Sequence, residues 1–293
     1  LVITAFASLY VIWGSTYLAI RIAIETLPPF LMAGTRFLAA GAILYALARG
    51  RGAAAPTRAH WRSAAIIGFL LLMWSNGSVV WAETRVPSGI TSLLVTTVPL
   101  FMVLIHWMRR DGERPRLGVA AGIALGLAGV AFLVGPGTIA GGESLDPLGT
   151  VVLCIAPIAW AYGSIWSRHA DLPRSPILAI GMEMLAGGAF LLVLGLAVGE
   201  SAQVTLSAIS ARSVAAWAYL TVFGALVGFT AYLWLLQVST PAKVSTYAFV
   251  NPVVAVFLGW AFAHEPVTPR TLIAAAAIIG AVALITLTRS DSD

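Results

Sequence analysis

Residues 13–44 read WGSTYLAIRIAIETLPPFLMAGTRFLAAGAIL, and residues 160–191 read WAYGSIWSRHADLPRSPILAIGMEMLAGGAFL. Laid over one another at a shift of 147 without a gap, they put Trp13 on Trp160, Arg21 on Arg168, Pro29 on Pro176, Gly34 on Gly181, Gly41 on Gly188 and Leu44 on Leu191. Further along, a shift of 153 sets Trp81 on Trp234, Ser92 on Ser245, Pro99 on Pro252 and Trp107 on Trp260. The chain is written twice. Each copy holds five apolar runs, and a chain that crosses a bilayer an odd number of times begins its second copy on the opposite face. Residues 1–140 and 141–293 are therefore expected to form two halves inverted relative to each other, as in secondary transporters with a site near the membrane midplane.

Composition supports a membrane protein. Apolar residues make up 59% of the chain and charged residues 10%, against roughly 25% charged in soluble domains. The formal charge of +5 does not point to nucleic acid, because the arginines lie between apolar runs and not on one basic face. One cysteine, Cys154, excludes a disulfide framework, and four scattered histidines offer no metal-ligand spacing.

A crossing needs about 20 apolar residues. Ten runs qualify, at 2–23, 30–48, 63–82, 87–107, 117–134, 147–167, 176–198, 213–236, 242–263 and 270–288. The first is too long for the core of a signal peptide, and nine more follow it, so it reads as a retained span. The expected fold is an all-α membrane protein, with ten transmembrane helices as two inverted five-helix repeats around a central cavity. The extra residues near Glu200 to Arg212 read as a loop.

Basic residues set the orientation. Twelve fall on one side: Arg49, Arg51, Arg58, Arg62, Arg109, Arg110, Arg114, Arg116, Arg168, Arg174, Lys243 and Arg289. The other side receives four, Arg21, Arg85, Arg212 and Arg270. Positive residues stay in the cytoplasm, so both termini are expected there.

Chemistry concentrates on a few positions. Trp13 and Trp160 occupy equivalent places near the middle of spans one and six, where an indole offers a flat apolar face, one N–H donor and a seat for a cation. Ser15, Tyr17 and Ser164 add hydroxyls on the same segments. Asn76 lies near mid-membrane on span three and should face protein or water, either as a substrate contact or as a helix–helix hydrogen bond. Glu83 shares its face seven residues on, and beside Arg85 it reads as a solvated loop pair.

Spans four and nine carry matching stripes, Ser92, Thr96 and Pro99 against Ser245, Phe249 and Pro252. A proline in a helix frees the carbonyl four residues earlier and bends the chain, so Pro99 and Pro252 read as paired hinges. Tyr232 and Asn251 are further cavity candidates. Arg36 and Glu183 are repeat-equivalent intramembrane charges; Arg36 reads as structural, Glu183 and His106 as candidates for proton coupling. Gly118, Gly122 and Gly126, and Gly224 with Gly228, are small-residue steps suited to helix packing.

Four stretches carry a family resemblance: IWGSTY at 12–17, PPFLMAGTRFLAAG at 28–41, VPSGITSLLVTTVPLF at 86–101 and YAFVNPVVAVFLG at 247–259. Together they resemble the ten-span EamA branch of the drug/metabolite transporter superfamily, over both repeats. The resemblance implies a bacterial inner-membrane carrier, commonly an exporter of amino acids, other metabolites or cationic toxicants. It also implies a cavity lined by spans one, three, four, six, eight and nine, with five and ten as supports.

No nucleotide-binding GxxxxGK[ST] loop, HExxH or GxSxG is present, so neither ATP-driven pumping nor hydrolysis has support. The expected activity is export of small metabolites, most of all aromatic and other neutral amino acids, by alternating access without a cofactor. The competing expectations are an exporter of cationic drugs or toxicants and a facilitative uniporter or channel. The expected partners are a small-molecule substrate and the lipid bilayer, with no nucleic acid.

Overall fold

Among the described residues, helix follows helix. The computed structural model describes residues 2–108, 117–134, 145–238 and 247–290, and no strand occurs among them. The elements are α1 (Val2–Ala23), α2 (Pro29–Gly50), α3 (Arg58–Ala82), α4 (Ser88–Trp107), α5 (Leu117–Val134), α6 (Pro147–Ser167) and α7 (Pro176–Ala197). They continue with α8 (211–238), α9 (Tyr247–Ala263) and α10 (Pro269–Ser290). Seven of them, α1 to α4 and α6 to α8, contain helices long and apolar enough to cross a membrane. Shorter apolar segments, Leu117–Leu133, Val250–Ala263 and Pro269–Ile285, lie in α5, α9 and α10. The basic residues at 109–116, the 135–142 connection, Lys243 and Ser245 lie outside the described residues.

Local chemistry fixes where the helices begin. Proline, whose φ is already helical and whose missing N–H costs nothing there, opens α2, α6, α7 and α10. Thr57 and His60 form a reciprocal cap at the start of α3. Asp146 accepts from the Gly149 N–H at 2.6 Å, and Ser210 from the Ser213 N–H at 3.0 Å.

The starts of α2 and α4 have no such neighbour in sequence. Distant carboxylates serve them instead. Glu200 accepts from the Phe30 and Leu31 N–H groups at 3.0 and 2.8 Å, and Glu265 accepts from Ser88 and Gly89 at 2.7 and 2.9 Å. A carboxylate at a helix N-terminus meets both the free donors and the positive end of the dipole. The segment expected as a loop near Glu200 folds into two short 3₁₀ turns, Glu200–Gln203 and Leu206–Ala208, which bring Glu200 to α2.

Packing follows the glycines. A Cβ on Gly34 would meet the Leu192 N and Gly188 O at 2.8 and 3.0 Å; one on Gly41 would meet the Gly181 O and Leu185 N, both at 2.8 Å. Gly181 and Gly188 return these contacts. The pairing of 34 with 188 and 41 with 181 means that α2 and α7 run antiparallel with their main chains touching. Gly122, Gly126 and Gly129 seat α5 against Ala281, Ile285, Ala277 and Ile278 of α10 in the same manner. Elsewhere α1 packs on α8 and α9, α6 on α3 and α4, and α4 on α9.

Three helices depart from regular geometry. α3 passes through a π-helical stretch at Gly68–Asn76, and α8 through another at Leu220–Val227. α4 breaks at Thr96 and Thr97, just before Pro99, between Ser88–Val95 and Val98–Trp107. The Thr97 hydroxyl donates to the Leu94 O at 2.6 Å and the Thr96 hydroxyl to the Ser92 O at 2.8 Å, so side chains cover carbonyls near the break. Pro252, by contrast, sits inside the continuous α9.

Gly188→Ala should lower the stability of the detergent-solubilised protein, by about 1–3 kcal/mol for overpacking. Gly280, with nothing within 4 Å of its would-be Cβ, is the control. Gly280→Ala should be neutral or stabilising by up to about 1 kcal/mol. Thermal unfolding of the two variants checks the contrast.

Candidate functional site

Where α1, α8 and α9 meet, aromatic rings crowd together. The Trp13 ring lies 5.4 Å from Phe229, 5.4 Å from Tyr232 and 5.0 Å from Tyr247, centroid to centroid. Its indole N–H donates to the Gly224 O at 3.2 Å, a carbonyl within the π-helical stretch of α8. A Cβ on Gly228 would lie 2.3 Å from the indole nitrogen. Glycine at 228 therefore makes the seat for the ring, and the small-residue step of α8 accommodates a side chain as well as a helix.

Trp160 approaches from the other half. It lines a small cavity of about 20 Å³ with Ile67, Leu71, Leu72, Glu183, Met184 and Phe229. That volume is room for about one water molecule. Phe229 belongs to both arrangements: its ring contacts Trp13, and it lines the cavity that Trp160 borders. Among the described residues the rings pack edge to face, as their quadrupoles favour, with Trp13 and Tyr247 perpendicular at 89°.

The remaining candidates divide into two groups. Ser15 shares a 2.7 Å hydrogen bond with the Tyr219 hydroxyl, joining α1 to α8 near the rings. Asn251, buried on α9 with its amide nitrogen turned toward them, donates to the Tyr247 and Tyr10 carbonyls at 3.2 and 3.3 Å. Tyr17 packs against the main core, and the Ser164 carbonyl accepts from Ser167. Away from the rings, Ser92 is fully buried and donates to the Gly89 O at 2.7 Å, with Thr96 one turn below. Asn76 accepts from Arg36 at 2.8 Å, the α2–α3 hydrogen bond that was one of its two expected roles. His106 is exposed in the last turn of α4.

Sequence reasoning missed several members. Phe229 and Tyr247 look like ordinary apolar positions until α8 and α9 are set against α1. Glu83 is a correction: it is fully buried, and the exposed ion pair belongs to Arg85 and Asp146 at 3.7 Å. Its placement under the 83–87 turn comes from tertiary packing, which a loop-like local sequence does not reveal.

A second hollow of about 500 Å³ lies between α2, α7 and the start of α8. Leu27, Leu31, Leu192, Leu196 and Trp217 line it, and its Thr35 hydroxyl is already engaged by the Trp217 N–H at 3.1 Å. It offers apolar surface and no free charge to hold an amino acid's ends.

An apolar helical bundle with an aromatic centre between two related halves is the build of a membrane carrier. Comparison with known proteins agrees: the EamA-like transporter family matches at residues 1–135 and again at 147–287, and the chain belongs to that family. It is a transporter and not an enzyme. The chain is 41% identical over 285 residues to the inner membrane transporter YedA of Escherichia coli (strain K12), covering 97% of this chain and 90% of that one. The transporter YoaV of Bacillus subtilis (strain 168) is 26% identical, over 97% of this chain and 96% of its own length. A solved crystal structure with 21% identity shares the fold at a TM-score of 0.65, over 97% of both chains.

The seat of Trp13 gives a double-mutant test. Gly228→Ala should cost about 1–3 kcal/mol of stability by pressing on the indole. In a Trp13→Ala background the same change should cost far less, because the space is vacated. Equal penalties in both backgrounds, read by thermal unfolding, would refute the seat.

Proposed function

We propose that the protein is a secondary transporter that exports small amphipathic metabolites, foremost aromatic and other neutral amino acids, across the bacterial inner membrane. Its two halves, 1–140 and 141–293, are five-helix inverted repeats that rock about the aromatic centre and open it to each side in turn. Both termini are cytoplasmic, as the distribution of basic residues requires.

The observation that carries this reading is Phe229, whose ring contacts Trp13 and which lines the cavity that Trp160 borders. Three others support the inversion. Gly34 faces Gly188 and Gly41 faces Gly181, the crossing that a two-fold axis imposes on equivalent residues. Exchanging the halves maps α1 with α8 and α9 onto α6 with α3 and α4, while α2–α7 and α5–α10 map onto themselves. The π-helical stretches of α3 and α8 correspond as well.

In this mechanism the rings take the substrate side chain. The hydroxyls of Ser15, Tyr232 and Ser245 and the amides of Asn76 and Asn251 meet its amino and carboxylate groups. Tyr17, Ser92, Thr96 and Ser164 complete the polar lining when the halves part. The break before Pro99 and the position of Pro252 within α9 are the hinges. Glu183 borders the cavity beside Trp160 and is the proposed coupling carboxyl, with His106 as its alternative.

The cluster of Trp13, Tyr232 and Tyr247 also favours a second reading, export of organic cations, since aromatic faces hold cations.

Counterflow of labelled phenylalanine or threonine into proteoliposomes tests the proposal, with quaternary ammonium compounds as competitors. Saturable exchange accelerated by substrate on the far side is the expected result, and Trp160→Ala should reduce it by about tenfold or more. An imposed proton gradient should drive accumulation that Glu183→Gln removes. Exchange of no amino acid would defeat the substrate assignment. If Arg36→Ala abolished exchange in folded protein while Trp160→Ala did not, the assigned site would be wrong.

A further inference from the structure

Beyond the aromatic centre, among the described residues, Glu83 is a buried acidic side chain that packing leaves without a hydrogen-bond partner. Glu83 lies one residue past the end of α3, fully buried, and neither carboxyl oxygen has a hydrogen-bond partner. The groups around it come from every neighbouring element. From α1, the Arg21 guanidinium donates to the main-chain carbonyl of Glu83 and not to its carboxylate. Tyr17 of α1 is also coupled to it electrostatically. From α2, Arg36 acts on it at longer range while bonding Asn76, seven residues earlier on α3. From the turn after α9, Glu265 brings a like charge and is itself committed to the Ser88 and Gly89 N–H groups. Ser88 and Thr91 of α4 are buried nearby in sequence, with hydroxyl oxygens that also lack partners. Arg85 and Asp146 are occupied with each other.

An ionised carboxylate in this setting would lose its water without a donor in return, a cost of several kcal/mol. A proton removes the cost. Burial first, and the Glu265 charge second, raise the carboxyl well above its usual range, against the pull of Arg21 and Arg36. A metal cation is disfavoured beside two guanidiniums. We propose that Glu83 is a proton-binding site at the outer closure of the transporter: it holds a proton while α1, α4 and the turn after α9 close over it, and releases the proton when that end opens to water. The site is distinct from Glu183, which borders the cavity at Trp160.

The sign of the linkage follows. The closed state binds the extra proton, so low pH favours closure. Raising the pH through the affinity range of the buried carboxyl favours opening. The reading rests on the rocking mechanism proposed above, and the test separates the two.

Spin labels at Thr84→Cys and Thr268→Cys, both exposed positions, in a Cys154→Ala background report the separation of the outer ends by pulsed dipolar spectroscopy. Titration from about pH 5 to about pH 9 should shift the population from short to long distances. Glu83→Gln, which mimics the neutral acid, should hold the short distance throughout. Glu265→Gln removes the like charge and should move the midpoint down by about one pH unit, so the proposal remains testable should Glu83→Gln fail to fold. A pH-independent distribution in protein that still exchanges amino acid overturns the proton site and leaves the transport reading intact. A pH response that survives in Glu83→Gln overturns it too. A pH response lost in Glu83→Gln, in protein that exchanges no amino acid, supports the site and removes the substrate assignment instead.

Discussion

Where α2 crosses α7, main chain rests on main chain, and Gly34, Gly41, Gly181 and Gly188 permit it because they carry no Cβ. In lipid, helices gain nothing from hiding apolar surface from one another, because the solvent is as apolar as they are. Association depends on close approach and dispersion contacts, which fall off within an ångström of separation. The α2–α7 contact joins the two halves along their length. It also sets how near α3 and α8 can come, since α3 packs on α7 and α8 on α2. The aromatic centre lies inside the frame so defined.

The second constraint is that polar groups away from water must be answered from within the chain. The structure answers them with distant residues. Glu200 serves the start of α2 and Glu265 the start of α4, across separations of 169 or more residues in sequence. Arg36 and Asn76 answer one another across α2 and α3. Threonine hydroxyls cover carbonyls beside the break in α4. Glu83, with the Ser88 and Thr91 hydroxyls, departs from this rule, and an unanswered carboxyl is a place where a proton matters.

These two constraints act together at the centre. Gly228 admits the Trp13 ring, and the widened turns of the α8 π-helical stretch present the Gly224 carbonyl to its N–H. Such stretches recur at functional sites because they open a carbonyl to a new partner without ending the helix. The result is a core that is tight, aromatic and divided between two halves.

Much of this was legible in the residues. Apolar runs long enough to cross a bilayer announce helices, and proline or a capping side chain marks their starts to within a few positions, as at Pro29, Pro147 and Pro176. Those signals are local, so the sequence alone determined the helices, and it offered Trp13 and Trp160 as candidates. Glu83 read as solvated, because a charged residue beside Arg85 at a helix end is locally indistinguishable from an exposed pair. Phe229 and Tyr247 were unremarkable for a similar reason. Only the tertiary structure decided which rings share the centre, which carboxylates cap which helices and which acid is left without a partner. Each of these depends on helices far apart in sequence meeting at a distance of a few ångströms, and a one-dimensional pattern carries no such distance.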